Sequence, residues 1–128
     1  MPLQQTKEQE RAKQAWADIS QVRGQSYEGK YGSLARKFPV LVLTNGLGHA
    51  LAFLRAKGKE HHQSLYSHFS VWVTSQTYDA NPGTNDLLER IIEDDSNAYR
   101  RATTEALAFA VWIKRFAEAE LQAEEEDN

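Results

Sequence analysis

The 128 residues suit one domain able to bury about two-thirds of its unfolded surface, and the 41% apolar and 26% charged shares are those of an ordinary globular chain. There is no cysteine, which excludes disulfides, thiolate metal sites, iron–sulfur clusters and cysteine nucleophiles. The longest uncharged run, residues 38–54, is broken by Asn45, two glycines and His49 and does not read as a membrane span, and residues 1–10 lack the apolar core of a signal peptide, so a reducing cytoplasm is the expected location.

The formal charge of −3 conceals a gradient. Residues 1–60 hold ten bases against five acids, whereas the last eleven residues carry six acids and no base, so an acidic tail masks a mildly basic body. A solvated face with a solubilising tail accounts for this pattern, and so does a surface for a polyanion.

Helical periodicity runs through the chain. Thr6 with Gln9 fits a capping box, Ala12, Ala15, Trp16, Ile19 and Val22 follow at steps of three and four, and Gly24 supplies a stop. Tyr27, Tyr31, Leu34, Ala35 and Phe38 continue the spacing through a short second helix that Pro39 is expected to end. A third helix then runs from Pro39 to about Lys57 through Leu47, Leu51 and Leu54, with a kink at Gly46 and a terminator at Gly58. Leu65, Phe69, Trp72 and Val73 mark a fourth helix, and residues 77–84, with Asp79, Asn81, Pro82 and Gly83, read as a loop. Leu87, Leu88, Ile91 and Ile92 mark a short fifth helix. Ser96 then caps a long sixth one striped by Tyr99, Ala102, Thr103, Ala106, Leu107, Ala110, Val111, Ile113 and Phe116. The fold class is all-α: a bundle of about six helices with long first and last members, forming a single domain over residues 1–122, with an acidic, frayed tail over 123–128.

The motifs that carry chemistry are weak. Gly46-Leu-Gly48 lacks the third small position and the βαβ context of a dinucleotide fingerprint, and Gly58-Lys59 is followed by Glu60 where a phosphate loop needs Ser or Thr. The two glycines are read as points of close packing. His61, His62 and His68 are spaced poorly for one metal ion and are read as a hydrated surface cluster. Ser64 and His68 stand one turn apart without a nucleophile elbow or oxyanion donor. Acid pairs such as Glu89 with Glu93 need no more than solvent. No enzyme, cofactor or metal site is expected. What remains is a basic series with aromatics among it, Arg23, Tyr27, Lys30, Tyr31, Arg36 and Lys37, then Arg55, Lys57 and Lys59, which suits phosphates as well as it suits the rim of a helical scaffold.

Two segments add to this reading: Leu34-Ala-Arg-Lys-Phe-Pro39 leading into Leu43-Thr-Asn-Gly-Leu-Gly-His-Ala-Leu-Ala-Phe-Leu54, and Tyr99 through Thr104-Glu-Ala-Leu to Trp112-Ile-Lys-Arg-Phe-Ala-Glu-Ala119. Together they resemble the small subunit of the type III-B CRISPR effector, the Cmr complex, over most of the chain; the acidic tail beyond Glu120 falls outside the family pattern. The resemblance implies a non-catalytic helical subunit of an antiviral RNA-targeting machine, several copies of which stack along a filament of backbone subunits holding CRISPR RNA and accommodate the target RNA. Its partners would be those backbone subunits, further copies of itself, and the guide and target RNA, with no membrane involved. A basic face would follow the phosphate backbone while base pairing provides specificity. Arg36, Lys37, Arg55, Lys57, Lys114 and Arg115 are the expected contacts. A stand-alone helical adaptor without a nucleic-acid role remains the alternative.

Overall fold

The computed structural model describes residues 4–78 and 85–122. Among them are six helices and no strand: α1 (Lys7–Val22), α2 (Glu28–Asn45), α3 (Leu47–Lys57), α4 (Glu60–Thr77), α5 (Leu87–Glu93) and α6 (Ser96–Glu120). The expected loop over residues 77–84 falls mostly outside the described residues, as does the acidic tail.

The first helix starts as its sequence dictates. The Thr6 hydroxyl accepts from the Gln9 N–H at 3.1 Å and the Gln9 side chain accepts from the Thr6 N–H at 2.8 Å, so two backbone donors with no partner inside the helix are satisfied. At the other end of the chain α6 is capped by Asp95 rather than Ser96: the carboxylate accepts from Ala98 N–H at 2.9 Å, and Ser96 becomes the first helical residue. Both residue types cap well, and the acid has the added advantage of the positive end of the helix.

Pro39 does not end the second helix. α2 continues through it to Asn45, and the chain breaks at Gly46 instead, with φ +87° and ψ 156°. An internal proline costs about 3 kcal/mol, yet continuing the helix keeps Phe38 and Val42 on the buried face, where each contributes roughly 1.5–3 kcal/mol. Glycine reaches that positive φ with little strain, so the break falls there. Tyr99 of α6 fills the notch: its hydroxyl accepts from the Gly48 N–H at 3.0 Å, and a Cβ on either Gly46 or Gly48 would lie about 3.4–3.5 Å from that oxygen. The close packing expected of these glycines is thus an approach of one tyrosine.

α6 is the central element, packed on α1, α2 and α4, while α3 and α5 cover the open side of α4. Ala98, Ala102, Ala106 and Ala110 recur every fourth residue on its buried side, followed by Ala117. Such short side chains let neighbouring helices approach closely. The aromatic centre is a chain of rings, Phe38 to Phe69 at 4.7 Å, Phe69 to Phe109 at 5.2 Å and Trp72 stacked on Phe109 at 5.5 Å. Phe109, absent from the expected stripe, is fully buried, whereas Leu107 is half-buried and Val111, Trp16 and Ile92 are exposed. Trp16 nevertheless packs edge-on against Phe116 at 5.2 Å.

Polar side chains also serve inside. Glu105 accepts two bonds from the Arg11 fork, at 2.6 and 2.9 Å, and one from the Trp72 indole at 2.8 Å, which ties α1, α4 and α6 together.

Candidate nucleic-acid interface

α2 and α6 run antiparallel. At one end Gln122 N–H donates to Glu28 Oε2 at 2.9 Å, and at the other Gly48 meets Tyr99. Both helices rise equally per residue, so Arg36 lies level with positions 111 to 114 of α6, and Leu43 with positions 104 to 107. Arg36, Val40 and Leu43 recur at helical spacing on the side of α2 opposite its buried Ala35, Phe38 and Val42, and all three are exposed, with Lys37 beside them. Lys114 is half-buried and stands one turn from Ala110 and Ala117, on the side of α6 that Tyr99 turns toward α2 about four turns earlier. The register therefore sets Arg36 and Lys114 at one level of the bundle, Arg36 on the outer side of α2 with Val40 and Leu43 further along it, and Lys114 on the side of α6 toward α2.

Arg115 leaves α6 in another direction, because successive helical residues point about 100° apart. It lines a groove of about 310 Å³ with Glu8, Ala108, Val111 and Trp112, on the α1 side. Lys114 and Arg115, adjacent in sequence, thus serve different surfaces. Among the described residues neither they nor Arg36 is ion-paired.

Arg55 and Lys57 sit in the last turn of α3, which packs on α2, α4 and α5. Arg55 Nη2 lies 2.8 Å from Asp86 Oδ1 and its guanidinium 4.9 Å above the Tyr66 ring. Asp86 also accepts the Tyr66 hydroxyl at 2.7 Å and caps α5 through Glu89 N–H at 3.2 Å. The Arg55 charge is therefore engaged in fastening α5. Lys57 stands 5.7 Å from the Phe53 ring and belongs to the end of the bundle where α4 begins.

That end holds charges that sequence spacing does not bring together. His61 is lowered below its usual pKa by burial and by the positive charges of Lys30 and Lys59; His62 is pushed down to about 4 by burial, by His61 and by Lys57 and Lys59. Lys30 lies at the start of α2, 29 positions before Lys59, and nothing in the sequence pairs them. The reading of the three histidines as a hydrated surface cluster is corrected here. His62 is buried, its ring 4.0 Å from that of His61, and the His68 side chain is nine-tenths buried, because α4 turns both toward its neighbours. Among the described residues no group of three such side chains could hold a metal ion.

His68 also settles the pairing with Ser64. Its Nδ1 is 2.7 Å from the Tyr31 hydroxyl and its Nε2 is 4.0 Å from Asp18 Oδ1, so both ring nitrogens face partners other than the serine. Burial lowers the imidazole to about 4 and raises the Asp18 carboxyl to about 6. Tyr31 is fully buried and takes no part in the surface. Above this network lies an open, polar depression of about 490 Å³ lined by Gln21, Tyr27, Glu60, Gln63, Ser64, Ser67 and His68.

Residues 7–120 match the family profile of CRISPR-associated protein (Cas_Cmr5). The CRISPR system Cmr subunit Cmr5 of Thermus thermophilus is 34% identical over 114 residues, which are 89% of this chain and 95% of that one. The chain belongs to the Cmr5 family. A crystal structure of a CRISPR-associated Cmr5 family protein, also from Thermus thermophilus, superimposes with a TM-score of 0.78 at 34% identity, covering 91% of this chain and 98% of the other. Membership makes this chain a small subunit of the Cmr CRISPR complex, and the all-α bundle expected from periodicity is the fold of that family. Among the described residues no helix is long and apolar enough to cross a membrane.

Proposed function

We propose that this Cmr5-family subunit works without catalysis, stacking in several copies along the backbone filament of a cytoplasmic type III-B effector and helping to hold the guide–target RNA duplex through a basic face. The observation that carries this reading is that Arg36 on α2 stands level with Lys114 on α6 and that neither charge is engaged by a carboxylate among the described residues. Lys37 extends that face along α2. Lys57 and Arg115 would add contacts at the α4 end and on the α1 side, and Arg55, its charge shared with Asp86, is the weakest of the six. Lysine and arginine follow phosphates irrespective of base, which suits a complex whose specificity lies in pairing between two strands.

Val40 and Leu43 lie along the same surface, and exposed aliphatic side chains favour contact with a neighbouring subunit over contact with phosphate. Stacking and duplex holding would then share one side of the molecule. The test is target-RNA capture by complexes assembled with Arg36→Glu/Lys37→Glu/Lys114→Glu. Capture is expected to weaken alike for all complementary sequences. If each copy neutralises about two phosphates, the slope of log affinity against log salt becomes shallower by roughly 1.4 per copy replaced. Unchanged capture with normal assembly would assign these charges to protein contacts and favour the adaptor reading.

A further inference from the structure

The depression of about 490 Å³ between α1 and α4 has polar walls and an incomplete hydrogen-bond set at its inner end. Its walls are amides, hydroxyls and one carboxylate: Gln21 comes from α1, and Glu60, Gln63, Ser64 and Ser67 come from α4. His68 closes the inner end with a side chain that is nine-tenths buried. Its Nδ1 lies 2.7 Å from the Tyr31 hydroxyl. Burial keeps the ring neutral near pH 7, so one nitrogen carries a proton; the Asp18 carboxylate on the Nε2 side holds it there, and Nδ1 accepts from Tyr31. Nε2–H is then a donor with no acceptor in reach, because Asp18 Oδ1 stands 4.0 Å away, beyond a hydrogen bond. Asp18 is short of partners too: Gln14 donates to its Oδ1 at 2.9 Å, and its Oδ2 is buried with none.

A donor and an acceptor thus face each other across a gap, and leaving them unmade costs free energy. A single oxygen at about 2.7–2.9 Å from both Nε2 and Oδ1 completes the set. That oxygen has to accept from the imidazole and donate to the carboxylate, which is the chemistry of a hydroxyl. A carbonyl only accepts, an ammonium only donates, and a phosphate meets the negative charge of Asp18 and Glu60. The surrounding amides and hydroxyls suit the remainder of a sugar ring, and the volume lies within the range of roughly 300–1,000 Å³ that small-molecule sites occupy.

We infer that the α1–α4 depression binds ribose, with His68 Nε2–H donating to a ribose hydroxyl and Asp18 accepting from it. Where the sugar belongs to a strand that hydroxyl is the 2′-OH, the group that distinguishes RNA from DNA. A free nucleoside and an RNA strand both present it. The strand as source rests on the function proposed above; ribose recognition does not.

The experiment titrates the full chain with tetrauridylate, its 2′-deoxy counterpart, uridine and 2′-deoxyuridine, following the His68 ring and the Gln63 side-chain amide by NMR. Both signals are expected to shift with the ribose form of a ligand, which binds about 10-fold tighter than its deoxy form, the factor for losing a hydrogen bond to a charged group. His68→Asn keeps an acceptor for Tyr31 and removes the Nε2 donor, and is expected to abolish the preference. Ser67→Phe, on the exposed wall, closes the depression without altering the buried network and is expected to remove the shifts, so the test holds even where His68→Asn does not fold. Equal affinity for ribose and deoxy forms overturns the proposal, as does a preference that survives Ser67→Phe or the absence of any shift at millimolar ligand. Shifts with uridine alone uphold ribose recognition and assign a free nucleoside; shifts with tetrauridylate as well assign RNA. The two readings fail separately: without an RNA role for the subunit uridine still binds, and without ribose recognition target-RNA capture still depends on Arg36, Lys37 and Lys114.

Discussion

Asp18 and Glu105 are both buried among α1, α4 and α6, at 6% and 8% exposure, yet their acidities move in opposite directions. Burial alone would raise Glu105, but the Arg11 fork and the Trp72 N–H outweigh it and hold the carboxyl below its usual value. Asp18 has one bond from Gln14 at 2.9 Å, its Oδ2 is buried without a partner, and desolvation lifts it to about 6. The same depth therefore stabilises one carboxylate and penalises the other, according to how many donors reach it. The rule extends to the surface. Arg11 and Arg55 are engaged by internal carboxylates, while Arg36 has no ion-pair partner among the described residues.

Breaking the satisfied member has the largest expected effect. Glu105→Gln leaves the mostly buried Arg11 guanidinium with Glu8 as its remaining acid and is expected to cost about 3 kcal/mol in chemical denaturation. A cost below about 0.5 kcal/mol would show that the fork contributes little. Neutralising the unsatisfied member has the opposite sign. Asp18→Asn is expected to stabilise the fold by about 1–3 kcal/mol above pH 6, because its carboxyl rises from 3.8 to about 6 on folding and no longer has to ionise inside.

The pH dependence sharpens the comparison further. Asp18 binds its proton more tightly folded than unfolded, so its contribution falls as pH rises from about 4 to 6. His62 and His68 drop from 6.5 to about 4, so the unfolded chain holds more protons between those values and their contribution rises with pH. One histidine offsets the aspartate and the other remains. Stability is expected to climb from pH 4 to 6.5, more steeply in Asp18→Asn and less in His62→Gln. A midpoint that is flat with pH in all three proteins would contradict the account. At the small end, Leu107→Ala on the half-buried shoulder of α6 is expected to cost about 1 kcal/mol, against roughly 2–5 kcal/mol for the fully buried Leu51→Ala.

Local chemistry was legible where it acts locally. The Thr6 and Gln9 box, the stops at Gly24 and Gly58 and the stripe through Leu47, Leu51 and Leu54 all appear in the structure as their sequence reads. Pro39 misleads because its penalty is local and the burial of Phe38 and Val42 that outweighs it is tertiary. Phe109 was invisible for a similar reason: its neighbours Phe69 and Trp72 come from α4, and only packing selects which α6 stripe faces them. Of the candidate interface, the charges were legible but their grouping was not. Spacing kept Lys114 with Arg115 and Arg55 with Lys57, whereas the helix directions separate the first pair and Asp86 holds Arg55 apart from Lys57.

The distinction between engaged and available charge is tested most directly by reversing Arg36 alone in the assembled Cmr complex. Arg36→Glu removes no ion-pair partner among the described residues, so the isolated subunit is expected to keep its stability within about 0.5 kcal/mol and to assemble normally, while target-RNA affinity falls and its salt slope becomes shallower. Unchanged affinity and slope in a normally assembled complex would contradict the account.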